Sequence, residues 1–208
     1  LADTLLASTR LKTFPAGTRL CAIGDGPGAM FFLAHGCLEA EVSPSVMPPH
    51  KCLLLYPGAW IGEGAVTTTA RRVGLLSTRP SSVLMIEGGD VRRVASTQPD
   101  LWRHLALLAL ENHYRTMGLA HDLMIRGGRR RFAAILARLA GLREDPVPDQ
   151  LVIDATQAEV ADIANLARSV VSTFVQELDR DGVVRPGWGT IEVLRPDLLL
   201  QRAEDNSA

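Results

Sequence analysis

The chain has 208 residues, of which 47% are hydrophobic and 22% charged, with a formal net charge of −1. Such a composition excludes a disordered chain, and the balanced charge excludes a globally basic nucleic-acid binder but not a locally basic one. No apolar run reaches the length of a membrane span, so no membrane partner is expected. No secretory leader is read, and the opening Leu1 in place of Met leads us to expect an upstream segment. Cys21, Cys37 and Cys52 are an odd, scattered set without CxxC spacing. That suits a reducing cytoplasm better than a disulfide framework or a cysteine-only metal site. The five histidines form no metal-binding pair, and His35 stands alone where a metal enzyme on a β-roll needs clustered ligands. No certain cofactor, no metal and no enzymatic activity are therefore expected.

Residues 1–99 are punctuated by turn residues, among them Gly24-Asp25-Gly26, Gly36, Pro44, Pro57-Gly58 and Gly62. Between them lie short apolar or alternating runs: Met30–Leu33, Cys37–Val42, Cys52–Tyr56 and Val83–Ile86. Many short strands at this spacing predict an all-β sandwich or roll.

From Asp100 to about Arg126 there is no Pro and a single Gly, which predicts a helix of roughly 38 Å. Leu105, Leu108 and Leu119 form one stripe. Leu107, Leu110, Tyr114, Met117, His121 and Met124 follow alternating steps of three and four, a coiled-coil-like seam. A second seam on an anchored helix implies a partner, most simply the same helix of a second copy, hence a homodimer. Gly127-Gly128 interrupts the helix as a hinge, and a further helix follows from Arg129 to Leu142 with Phe132, Ile135, Leu136 and Leu139 inward. Gly141 and Asp145-Pro146-Val147-Pro148 end it. The expected division is 1–99, 100–126 and 127–208.

The most informative stretch is Ile153–Leu194. Thr156 to Glu159 fits a capping box, and Val160, Ile163 and Ala164 face one side of a short helix. Asn165 suits the left-handed turn that follows. A second helix from about Arg168 to Arg180 buries Val171, Phe174, Val175 and Leu178, and Gly182 stops it. Its opposite face presents Arg168, Ser169, Ser172 and Thr173. An Arg fork and hydroxyls are suited to reading base edges in a major groove. Thr156 and Gln157, at the start of the first helix, are read as further DNA contacts. Val183-Val184, the turn Arg185–Gly189 and Thr190–Leu194 make a hairpin wing. The fold class is thus α+β: an N-terminal β-roll, a long dimerisation helix and a C-terminal winged helix-turn-helix. Residues 126–208 hold 11 Arg against 13 acidic residues, so phosphate contacts must come from clusters such as Arg129-Arg130-Arg131, Arg168 and Arg185, or from helix N-termini.

With Ile23-Gly24-Asp25, Met30-Phe31-Phe32-Leu33, Gly36, Pro57-Gly58, Ile61-Gly62-Glu63, the long helix, the hinge and the Thr156–Leu194 winged helix in order, the chain resembles bacterial transcription regulators of the cyclic AMP receptor protein and fumarate–nitrate reductase regulator (Crp–Fnr) family. The resemblance runs nearly end to end. It implies a cytoplasmic homodimer, a two-fold-related double-stranded DNA operator, contact with RNA polymerase through a loop at about Glu144–Val152, and a cyclic-nucleotide-binding-like roll. The effector segment it implies is Gly62, Glu63, Gly64 and Ala65, with an Arg for a cyclic phosphate and Thr116 towards the base. Arg71 and Arg72 both fit, in different registers, and neither is followed by the small or hydroxyl residue of the family pattern. A buried ion pair between Glu63 and one of these arginines is the alternative use of the segment. Met117 stands where a second hydroxyl would come from the partner subunit. Ser169 and Thr173 replace charged residues of the receptor protein's recognition helix, so a different operator is expected. The iron–sulfur branch's cysteine cluster is missing, and His50, Cys52 and His121 offer no paired haem ligand set. The effector is expected to be a small nucleotide. The alternative is a constitutive regulator whose roll serves dimerisation alone.

Overall fold

Alternation of side chains about a strand explains why the middle of the first hundred residues is so apolar. In the computed structural model, which describes residues 1–43, 48–143 and 147–204, the strand Ala29–His35 is buried on both faces. Phe31 and Leu33 point into one core with Leu38, Ala40, Leu75 and Val83. Met30 points the other way into a second core with Val66, Ile86, Val91, Val94 and Leu101. Pro44, Glu144 and Asp145-Pro146 lie outside the described residues.

The elements run α1 (Ala2–Leu6), β1 (Arg10–Phe14), β2 (Arg19–Cys21), β3 (Ala29–His35), β4 (Leu38–Val42), β5 (His50–Leu55), β6 (Trp60–Ile61), α2 (Gly64–Thr67), β7 (Val73–Ser77), β8 (Ser81–Glu87) and α3 (Gly88–Thr97). Then come α4 (Leu101–Leu123), α5 (Gly128–Leu139), β9 (Val152–Ile153), α6 (Gln157–Ala164), α7 (Arg168–Arg180), β10 (Val184–Pro186), β11 (Ile191–Val193) and α8 (Pro196–Glu204). The chain divides into two units, Leu1–Tyr114 and Arg115–Ala208.

In the first unit two antiparallel four-stranded sheets, β1-β8-β3-β6 and β2-β7-β4-β5, enclose the first core. The outer face of the β3–β8 pair is covered by α2, α3 and the start of α4. Here the structure adds to the sequence reading: α3 is a helix in a stretch read only as part of a β domain. Its Val91, Val94 and Ala95 are buried. The thiol of Cys52 is pushed up to about 11, mainly by burial, and burial also raises that of Cys21.

In the second unit α5 is the centre. Its residues Phe132 to Ala137 and Leu139 are buried, and it packs against α6, α7 and α8. Asp122, near the end of α4, has no exposed surface and binds Arg138 Nε at 2.7 Å and Arg143 Nη1 at 3.1 Å. A Cβ at Gly118 would lie 2.6 Å from the Arg138 guanidinium, so the glycine gives that side chain its room. The sheet β10-β11-β9 completes the unit. Among the described residues no helix is long and apolar enough to cross a membrane.

Candidate nucleic-acid interface

Thr156 caps α6 as the spacing predicts. Its Oγ1 accepts from Glu159 N–H at 3.2 Å, and its own N–H donates to Glu159 Oε2 at 2.7 Å. Its hydroxyl is therefore engaged in the cap, while Gln157 is half-buried beside it. The helix ends at Asn165, left-handed at φ 50°, the only non-glycine residue with positive φ among those described. Arg131 Nε donates to the Ala164 carbonyl at 3.0 Å, which ties this turn to α5.

Helix α7 follows at once. Val171, Val175 and Leu178 are buried, with Phe174 half-buried against Phe132, ring centroids 5.7 Å apart. Arg168, Ser169 and Thr173 are exposed and Ser172 is half-buried, so the four side chains share the outward face. Thr173 Oγ1 donates to the Ser169 carbonyl at 3.1 Å. The outward face also runs on past Thr173 to the exposed Gln176 and Arg180. The three-and-four spacing from Ser169 through Gln176 carried that signal.

Sequence reasoning also missed what fixes α7 in place. Arg129 makes a two-pronged ion pair with Glu177, at 2.9 and 2.8 Å, and its guanidinium lies 5.0 Å from the Phe174 ring centre. The hydrogen bond from Arg129 holds the Glu177 carboxyl below the usual carboxylate range. Arg129, read as a phosphate contact, thus has a partner within the protein.

In the roll, Gly62, Glu63 and Gly64 are half-buried and Ala65 is buried. The two arginines differ. Arg71 turns inward: its Nη2 donates to the Ala29 carbonyl at 2.5 Å, and its guanidinium lies 5.2 Å from the Phe31 ring centre. A Cβ at Gly28 would come within 2.8 Å of it. Arg72 is exposed. Glu63 Oε2 accepts from Asn112 Nδ2 at 3.3 Å, so Glu63 and Arg71 each have a partner other than the other. Asn112 was not singled out from the sequence. Thr116 belongs to the second unit and is exposed on α4.

Residues 130–202 match the Crp-like helix-turn-helix domain. Over 199 residues the chain is 27% identical to the cyclic AMP receptor protein of Thermus thermophilus, covering 95% of this chain and 89% of that protein. The chain thus carries a Crp-like helix-turn-helix domain and is similar, nearly end to end, to a transcription regulator of the Crp–Fnr type. The chain shares its fold with FixK2 from Bradyrhizobium japonicum, at a TM-score of 0.81 and 12% identity, over 95% of this chain and 98% of that one. It is also 31% identical over 108 residues to a cyclic nucleotide-gated potassium channel of Mesorhizobium japonicum, a match that covers 51% of this chain and spans 28% of the channel's length.

Proposed function

We propose that the protein is a dimeric, sequence-specific regulator of transcription that works in the cytoplasm. Helix α7 enters the major groove, where Arg168, Ser169, Ser172 and Thr173 read base edges, while Gln157 and the capped start of α6 at Thr156 face the sugar–phosphate backbone. The observation that carries this reading is the polar, outward face at the start of α7, opposite its buried Val171, Val175 and Leu178.

The dimer forms along α4. Leu107, Leu110, Tyr114, Met117 and Met124, all in the seam read from spacing, are between 49 and 80% exposed. His121 lies on the same face. The working segments are 1–99 for sensing, 100–126 for dimerisation and 127–208 for DNA binding, with RNA polymerase as the onward partner.

The roll takes a small anionic effector of the cyclic-nucleotide class at Gly62, Glu63, Gly64, Ala65 and Arg71, with Arg72 at the rim. An effector that binds the DNA-competent arrangement more tightly shifts the population towards it. The inward, carbonyl-bonded Arg71 favours a second reading, in which the roll is filled by its own side chain and the regulator is constitutive.

Selection of bound duplexes from random DNA, with and without cyclic mono- and dinucleotides, tests the proposal. A two-fold-symmetric site is expected, enriched more strongly with one nucleotide present. Equal enrichment throughout supports the constitutive reading. No enrichment at all overturns the regulator.

A further inference from the structure

The wing ends in a side chain that the base-reading face does not use. Trp188 is fully exposed, at the tip of the turn between β10 and β11. It stands between Gly187 and Gly189, so no neighbouring side chain shields it. The turn that presents it is tight. Gly187 N–H donates to the Thr190 carbonyl at 2.8 Å, and a Cβ at Gly187 would lie 2.5 Å from Thr190 Oγ1. Gly189 has φ 71°, which a residue with a side chain adopts only at a cost. The sequence therefore holds a large apolar ring in water on a narrow, rigid mount.

The mount is joined to the base-reading helix. Strand β10 packs on α7, and Val183 N–H donates to the Leu178 carbonyl at 2.8 Å just past the helix end. The arginines on and just after the wing are paired with nearby carboxylates. Arg185 pairs with Glu192 at 2.8 Å, and Arg195 with Asp197 at 3.5 Å. Arg129, at the start of α5, is likewise paired with Glu177. Arg185 and Arg195 thus each already have an acidic partner, which leaves the indole as the wing's unengaged contact group.

We propose that Trp188 is a DNA-contacting residue: its indole enters the minor groove beside the site occupied by α7 and wedges against a base step or deoxyribose. This rests on the DNA-binding reading above. A blade flanked by two glycines matches a groove only about 6 Å wide, and apolar side chains inserted there unstack a step and bend the duplex. Steps that unstack easily, such as TA and CA, are favoured, so Trp188 adds sequence preference outside the positions read by α7.

The test uses the full chain and a duplex enriched by the wild type from random DNA. Trp188→Ala is expected to bind it about ten-fold more weakly, the usual scale for an aromatic contact with a base, with Trp188→Phe in between. The slope of log affinity against log salt stays unchanged, because no phosphate contact is lost. Trp188→Ala also loses preference at the flanking steps in a repeated selection. With Trp60 and Trp102 changed to Phe, the remaining indole fluorescence responds to the duplex. Should that double variant fail to fold, the affinity and selection measurements decide alone. Wild-type affinity and flanking preference in Trp188→Ala overturn the proposal. So does a variant that binds DNA normally but fails to recruit RNA polymerase, which would assign the indole to that partner. A wild type that enriches no duplex overturns the DNA-binding reading itself, and this inference with it.

Discussion

Asp122 and Arg168 sit in the same unit and face opposite demands. The carboxylate of Asp122 is wholly out of water and is matched by Arg138 and Arg143. Removing the carboxylate leaves the largely buried Arg138 without its counter-charge while Arg143 returns to water, so the cost is about 3 kcal/mol, the lower end for a broken buried pair. Asp122→Ala should lower the urea midpoint accordingly, and adding Arg138→Leu should recover part of the loss. Arg168 is exposed. Arg168→Ala should leave the urea midpoint unchanged and weaken binding of a selected operator by about 1–3 kcal/mol, the worth of a two-pronged contact with guanine. Anisotropy titration against cognate and scrambled duplexes measures it; unchanged affinity for the cognate duplex would remove Arg168 from the reading set.

At the scale of elements, the α6–turn–α7 pair depends on one left-handed residue and one ion pair. Asn165→Gly should be nearly neutral in thermal melts, whereas Asn165→Val should cost about 1–2 kcal/mol, because a branched side chain resists positive φ. The Arg129–Glu177 pair lies largely in water, Arg129 being 70% exposed, so it adds a small, acid-sensitive increment to the packed seating of α7. Because Glu177's carboxyl is held below its ordinary value, its contribution is complete above about pH 4.3 and fades as pH falls through the depressed value. An NMR titration should show the Glu177 carboxyl ionising at lower pH than usual, and at its ordinary value in Arg129→Gln.

These elements also show what could be read without coordinates. α6 and α7 were legible because a cap, a left-handed turn residue and a helical stripe all agree. α3 was not, since it opens on Gly88-Gly89 and its few apolar residues make no long period. α8 lies beyond the wing, where the sequence reading stopped. The wing was legible but shifted. Arg185 and Pro186 belong to β10, opposite Glu192 and Ile191, rather than to the turn. Proline is tolerated there because β10 is an edge strand, and the Arg185–Glu192 pair prolongs the ladder. Adjacent arginines cannot be ranked from a sequence: which of Arg71 and Arg72 turns inward depends on the room left by Gly28 and Gly62, distant in the chain.

For the whole molecule, the proposed dimer rests on the apolar face of α4. Leu110 and Tyr114 lie in the middle of the seam, half-exposed or more. Changing both to Glu should convert a sedimenting dimer to a monomer and abolish tight operator binding, because a symmetric site needs two linked helices. A wild type that sediments as a monomer at micromolar concentration would overturn the dimer.

In the dimer proposed above, a helix that packs on its own domain along one side meets its twin along the other. Its folding is tied to mass action, so the melting midpoint should climb with protein concentration and drop on dilution. Cellular abundance would then be a signal in its own right, setting how much of the chain is paired.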